Sequence, residues 1–177
     1  MTRDLTQKAP NVPTEERALA RLRRNVELGQ LEEVPGVLLP GEPLYLVTYM
    51  NSQTGGRIRS ATIVTVTNQS TQTNLVTVTW FKGLTDNSSP VGASSFLIPP
   101  DFTVDFGSRD LPFELTAVNS IPATPLVFDE GRAIVSARLR EIGVSARVYY
   151  TSGDADEELL SITDSKVVVF GQGNSGD

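Results

Sequence analysis

The densest group of carboxylates in the chain lies in a short segment that could bind a metal ion. It comprises Asp154, Asp156, Glu157 and Glu158. Carboxylate oxygens gathered in a loop are the ligands that Ca²⁺ prefers, which makes Asp154, Asp156 and Glu158 candidate ligands. The EF-hand pattern is not followed. When Asp154 is counted as the first residue of the calcium loop, Leu159 stands where the turn glycine belongs and Ser165 where the bidentate glutamate belongs. We therefore expect a solvated turn, or the first turn of a short helix, without a cofactor or a tightly bound metal ion.

Pairs of carboxylates elsewhere in the chain suggest glycoside hydrolysis as another chemistry. Asp101 and Asp105 flank an alternating segment, and Asp129 stands beside Glu130. Glycosidases use two carboxylates about 5 to 10 Å apart, one as an acid and the other as a base or nucleophile. Such pairs arise freely among 21 acidic residues, so a carboxylate-pair hydrolase is only the second alternative to the function preferred below.

Two residue types that most catalytic and metal centres need are missing from the chain. Without cysteine there is no disulfide or thiolate site, and without histidine the commonest metal ligand and general base are lost. The serines therefore lack an imidazole partner, and Lys8, Lys82 and Lys166 stand in no recognisable nucleophile motif. These absences predict that the protein is not an enzyme.

Aromatic side chains could form a platform for sugar rings. The candidates are Tyr45, Tyr49, Trp80, Phe81, Tyr149 and Tyr150. At strand spacing most of them should instead pack in the core, since large aromatic side chains dominate core burial. A ligand-binding module for carbohydrate or Ca²⁺ is accordingly the first alternative function.

A charged helix is predicted ahead of the β-rich part of the chain. Thr14 is a suitable N-cap, and Glu15 and Glu16 complement the positive end of the helix dipole. The predicted interaction residues form an arginine stripe and an apolar stripe on this helix: Arg17, Leu19, Arg21, Leu22, Arg24 and Val26. Five glutamates against four arginines leave residues 14–33 with a net charge of −1, which favours a solvated face or a protein partner over nucleic acid.

The sequence that follows is rich in Val and Thr, whose branched side chains suit a pleated sheet. Turn residues divide it into nine predicted strands, at 44–50, 57–67, 74–82, 94–98, 102–106, 113–118, 132–139, 144–151 and 166–170. Many short strands at near-regular spacing predict a sandwich or a barrel.

The clearest alternation lies in 57–67 and 74–82, which we predict to pair as a hairpin across a polar loop. The inward-facing residues, with the asparagine that ends the first strand, are Val64, Val66, Asn68, Val76, Val78 and Trp80. In these residues the chain resembles immunoglobulin-like and fibronectin-III-like sandwiches, although it lacks the cysteines of the antibody pattern. The resemblance implies an all-β antiparallel β-sandwich, immunoglobulin-like or jelly-roll-like, preceded by one short N-terminal α-helix. It implies no function, because such sandwiches host unrelated activities.

Composition divides the chain into five segments. They are an extended arm at 1–13, the charged helix at 14–33, a Pro/Gly linker at 34–43, the β-sandwich domain at 44–170 and a flexible tail at 171–177. Polar segments such as the arm and the tail can become ordered on a partner that supplies contacts to offset their entropy.

These features favour a non-enzymatic structural or interaction protein, a repeated subunit of a virion, tail or filament. Its expected partners are further copies of itself or neighbouring structural subunits. The net charge of −6 and a pI near 4.7 oppose binding to nucleic acid or to an anionic membrane. No run approaches the ~20 apolar residues of a membrane span, and the N-terminus lacks a signal-peptide core. We therefore expect a cytoplasmic or particle-associated protein.

Overall fold

The computed structural model describes residues 32–33, 41–83, 90–113, 119–122 and 124–170. All regular secondary structure in these ranges is β. The strands are β1 (Glu32–Glu33), β2 (Glu42–Ser52), β3 (Ile58–Asn68), β4 (Asn74–Phe81), β5 (Pro90–Ile98), β6 (Thr103–Gly107), β7 (Asn119–Ser120), β8 (Phe128–Ala137), β9 (Ile142–Ser152), β10 (Glu158–Ser165) and β11 (Val167–Val169). The predicted arm at 1–13, the tail at 171–177 and all but the last two residues of the predicted helix at 14–33 lie outside the described residues. Those two residues, Glu32 and Glu33, form a strand paired with β5, so the prediction of a helix is wrong for them.

The strands form two sheets. One has six strands in the order β1-β5-β4-β8-β2-β11, and the other has five in the order β10-β9-β3-β6-β7. Neighbouring strands are antiparallel except for the short parallel pair of β6 and β7. The described part of the chain is therefore all-β with two mainly antiparallel sheets, as in a β-sandwich, and this agrees with the predicted fold class.

Alternating residues of both sheets build the main core. The predicted inward-facing residues are completely buried, namely Val64, Val66, Val76, Val78 and Trp80. The Trp80 ring stacks on Phe128 with 6.3 Å between the ring centroids, and Phe96 meets Phe106 edge to face at the same separation. Burial of the branched and aromatic faces, with Thr alternating between them, explains why these segments form strands.

The predicted hairpin of 57–67 with 74–82 is wrong. β3 pairs with β9 and β6, whereas β4 pairs with β5 and β8, so the loop between β3 and β4 crosses from one sheet to the other. Alternation of apolar and polar residues specifies which face of a strand is buried. Two strands that pair in one sheet and two strands that face each other from opposite sheets show the same alternation. The pattern therefore could not identify the neighbour of either strand.

Asn68 holds the crossing at the end of β3. Its side chain is fully buried, and its Nδ2 donates to the carbonyl oxygens of Gln72, at 2.7 Å, and Ile98, at 2.8 Å. Its Oδ1 accepts from the backbone N–H and the hydroxyl of Ser70. One amide thus satisfies polar groups on both sides of the corner, where a turn of the chain leaves backbone groups without strand partners.

β10 is absent from the predicted strands, and other predicted strands are displaced. The register of β10 on β9 shifts between Leu159 and Ser161, and this bulge removes the alternation that identifies a strand. β8 ends at Ala137 rather than at 139, and residues 114–118 of the predicted strand at 113–118 lie outside the described residues. Within the described ranges, no helix is long and apolar enough to cross a membrane.

Candidate functional site

The acidic segment forms the turn between β9 and β10, and Asp156 points into the protein rather than into solvent. Asp156 is buried and adopts a left-handed backbone conformation with φ of 55°. Arg109 donates to both of its oxygens, from Nη1 to Oδ2 at 2.7 Å and from Nη2 to Oδ1 at 2.8 Å. Thr151 Oγ1 donates to Oδ1 at 2.6 Å, and Arg59 Nε lies 3.2 Å from the same oxygen. The expectation of a solvated turn is therefore wrong for this residue.

The electrostatics of Asp156 follow from these partners. Burial alone would favour the neutral acid, but the hydrogen bonds from Arg109 and Thr151 and the charges of Arg109 and Arg59 outweigh it. The pKa of Asp156 consequently lies below its usual range. The carboxylate is held in its charged form by cations of the protein itself.

The other candidate metal ligands do not join Asp156. Asp154 and Glu158 are exposed, and Glu158 Oε2 accepts a hydrogen bond from Ser152 Oγ at 2.9 Å. In the part of the chain that the structure describes, no group of three acidic side chains is placed so that it could hold a metal ion.

Arg109 is a key residue that the sequence does not reveal. It follows β6 and is almost completely buried, and its Nε donates to the carbonyl oxygen of Ser60 at 2.7 Å. It therefore ties β3, the segment after β6 and the β9–β10 turn together, and so fixes the start of β10. Buried arginine is rare unless it is paired, and an Arg-Asp dipeptide after a strand is typical of an exposed turn, so no local pattern signals this role.

The carboxylates considered for glycoside hydrolysis differ in exposure and in surroundings. Asp105 is buried, and its Oδ1 accepts from the hydroxyl of Thr65 at 2.5 Å. Asp129 is exposed, and its Oδ1 accepts from the amides of Asn51 and Gln53. Asp101 is exposed with φ of 62°.

The aromatic candidates for a sugar platform are dispersed. Trp80 and Tyr149 are buried, and Tyr45 donates its hydroxyl to the carbonyl oxygen of Ile142 at 2.9 Å. Phe81 lies under the guanidinium of Arg132, 4.5 Å from the ring centroid. Tyr49 and Tyr150 are the two candidates whose side chains meet.

Tyr49 of β2 and Tyr150 of β9 meet across the two sheets. Their hydroxyl oxygens are 3.3 Å apart, and burial and the hydrogen bond with Tyr49 raise the pKa of Tyr150 to about 12. The contact lies near the side of the molecule where β10 and β11 are the edge strands. It marks one end of an exposed surface.

β10 and β11 form this side, and the chain passes directly from one to the other through Lys166. The backbone N–H and the hydroxyl of Thr48 both donate to the carbonyl oxygen of Lys166, at 3.0 and 3.1 Å. Ser165 Oγ donates to the carbonyl oxygen of Tyr49 at 2.6 Å. The crossing thus fastens the edges of both sheets to β2.

Large apolar side chains are exposed along this side. We call the following residues, each exposed by 37–48%, the edge patch: Tyr49, Ile162, Val168, Val169 and Phe170. Ile162 belongs to the edge strand β10, Tyr49 to β2, and Val168, Val169 and Phe170 to β11 or the residue after it, so all five lie on or beside the two edge strands of this side. Exposed apolar side chains gathered on one side of a protein mark interaction surfaces, whereas single scattered ones need no explanation.

The backbone of β11 is open on its outer side. Thr48 N–H donates to the Lys166 carbonyl and Phe170 N–H to the Leu44 carbonyl, so Lys166, Val168 and Phe170 direct their polar groups to β2. By the alternation of an antiparallel ladder, Val167 and Val169 direct theirs outward. No strand within the described ranges lies beyond β11. Within the part of the chain that the structure describes, Val167 and Val169 therefore direct backbone groups without a strand partner beside the edge patch.

The predicted interaction residues of the helix, Arg17, Leu19, Arg21, Leu22, Arg24 and Val26, lie outside the described residues. The edge patch is not among the predicted sites, although 166–170 is predicted as a strand. A run of three valines before phenylalanine indicates a strand but not its position at an edge, which depends on the order of all the strands.

Comparisons with known proteins identify no family. No family model matches the chain, and no curated protein sequence matches it. Among solved structures, the chain matches the crystal structure of Thermotoga maritima 1070, with 13% sequence identity and a TM-score of 0.41. The alignment covers 71% of this chain and 94% of that chain. A likeness of this size carries no functional argument.

Proposed function

We propose that the chain is a non-enzymatic structural or interaction protein, a β-sandwich subunit that associates with neighbouring subunits in a larger assembly of the virion, tail or filament type. The observation that supports this function is the open edge of β11 beside the edge patch. Unpaired strand edges are templates for pairing with another chain.

The composition of β11 strengthens this proposal. Proteins usually protect edge strands with charges, proline, bulges or a covering segment. β11 consists of three valines in regular register on β2, and Lys166 is the sole charged residue between 165 and 170. A strand of this kind is suited to a protein partner, and the net charge of −6 disfavours nucleic acid or an anionic membrane.

The predicted helix would supply a second contact with a protein partner. Its apolar stripe is too narrow for a helix buried on several sides, but it is wide enough to dock on a neighbour. A subunit with two separate contacts can extend an assembly beyond a pair, since each contact engages a different neighbour.

Solution mass tests the proposal. The weight-average mass of the full chain, measured by sedimentation over a wide range of protein concentrations, should exceed the 19.1 kDa of one chain and should rise with concentration. A mass that stays at 19.1 kDa at every concentration would overturn the proposed function.

A further inference from the structure

We propose that the partner on β11 is a second copy of this chain, paired antiparallel through β11 about a two-fold axis at Val168. This inference rests on the proposed function and names the occupant of the open edge. It would join the six-stranded sheets of two copies into one continuous sheet.

The outward backbone groups of β11 are complementary to themselves. They belong to Val167 and Val169, which are placed symmetrically on either side of Val168. When Val168 faces Val168 of a second copy, Val167 of each copy faces Val169 of the other. Each of these two pairs exchanges both N–H···O bonds, as hydrogen-bonded pairs of an antiparallel ladder do. A two-fold contact therefore satisfies the outward N–H and C=O groups of both residues.

The charges along β11 fit the same pairing. In this register Lys166 lies opposite Phe170 of the second copy, so the two lysines are kept at opposite ends of the interface. β11 thus pairs without placing like charges opposite each other, which would be destabilising.

β10 is a poorer edge for self-pairing. It carries Glu158 and Asp164 near its two ends, both exposed, and a bulge between Leu159 and Ser161 interrupts its ladder. Two copies paired through β10 would bring acidic residues together, and a bulged edge is a usual protection against pairing. The choice between the two edges therefore favours β11.

The contact should be weak. A stable interface buries about 800 Å² on each partner, and a strand of three residues contributes only part of that area. Val168 and Val169 belong to this strand and Phe170 follows it, and the pairing would cover part of their exposed side chains. We expect a dissociation constant on the order of micromolar or higher.

Charge variants at the axis test the proposal. Val168→Lys and Val168→Glu each place like charges opposite each other, so each variant alone should have a lower sedimentation mass than the native chain at the same concentration. An equimolar mixture of the two should return to the native mass, because opposite charges then face each other. Val91→Lys is the matched control, since Val91 in β5 is 38% exposed, as is Val168, and this variant should keep the native mass.

A further variant removes one outward backbone N–H of β11 without adding a charge. Val169→Pro deletes an N–H that points away from β2, so it should lower the mass while the thermal melting of the chain stays close to native. Native mass in both charge variants would overturn β11 as the interface but leave association itself intact. A mixture that remains at the lower mass would overturn the two-fold pairing and indicate a different occupant of the edge.

Discussion

Arg109 makes a bidentate contact with the carboxylate of Asp156. Its two terminal nitrogens lie 2.7 and 2.8 Å from the two carboxylate oxygens, although the residues are separated by 47 positions in sequence. Both are buried. Paired guanidinium donors match the two carboxylate oxygens in a plane, so the geometry is specific as well as strong. This contact anchors the turn from which β10 begins.

The first prediction concerns this pair. Arg109→Met should lower the free energy of unfolding by about 3–5 kcal/mol, because it leaves Asp156 as a buried charge with weaker compensation. Urea denaturation measures the effect. Arg140→Met serves as the control, since Arg140 pairs with Glu42 on the surface and this variant should change stability little. An equally small loss in both variants would show that the buried pair does not anchor the fold.

The second prediction concerns acid. The pKa of Asp156 is lowered in the folded state, so the unfolded state binds more protons at pH values near the ordinary pKa of about 4. The stability that Asp156 contributes is thus present above that pH and is lost as the pH falls through the lowered folded pKa. Melting temperatures of the native chain should fall more steeply on acidification than those of Asp156→Asn. If the melting temperatures of the two proteins fell equally with pH, the lowered pKa of Asp156 in the folded state would be contradicted.

The third prediction concerns Trp80. Trp80→Ala should cost about 3–5 kcal/mol in the free energy of unfolding, since it removes a completely buried ring that stacks on Phe128. Trp80→Phe should cost less, because it keeps a ring and removes an indole N–H that has no hydrogen-bond partner within the described ranges. Chemical denaturation followed by circular dichroism measures both. A loss below about 1 kcal/mol for Trp80→Ala would mean that the ring is not part of the core.

The fourth prediction concerns residues 1–31. Their deletion retains β1 and every later strand, so the β-type circular dichroism and the melting temperature should change little. The sedimentation mass should fall towards that of a pair, because the contact made by the predicted helix is lost while β11 is retained. Unfolding of the shortened chain would instead show that the segment belongs to the core of its own subunit.

The sequence was a good guide to the faces of strands. Val64, Val66, Val76, Val78 and Trp80 are buried as alternation requires, because the side-chain period of a strand is a local property. The neighbours of those strands depend on contacts far along the chain. Asn68, whose amide joins the two sides of the loop between β3 and β4, has the local pattern of an ordinary turn residue, so the sequence predicts a hairpin where the chain crosses between sheets.

The candidate site was less accessible to sequence reasoning. The sequence places Asp156 in an acidic group and suggests a metal ligand, whereas the structure pairs it with Arg109, which carries no local signal. The sequence does not predict β10, because its bulge removes the alternation. The edge patch follows from strand order alone, and strand order is a property of the whole fold.

The position of β2 in the six-stranded sheet has a consequence for synthesis of the protein. β2 is flanked by β8 (Phe128–Ala137) and β11 (Val167–Val169), which emerge from the ribosome long after it. Closing such long loops before any strand contact forms slows folding and leaves apolar strands exposed in the meantime. Val47 and Met50 of β2 therefore lack both of their neighbours in the six-stranded sheet until most of the chain is made, and during that time contacts with β3 of the other sheet are the ones that can cover them.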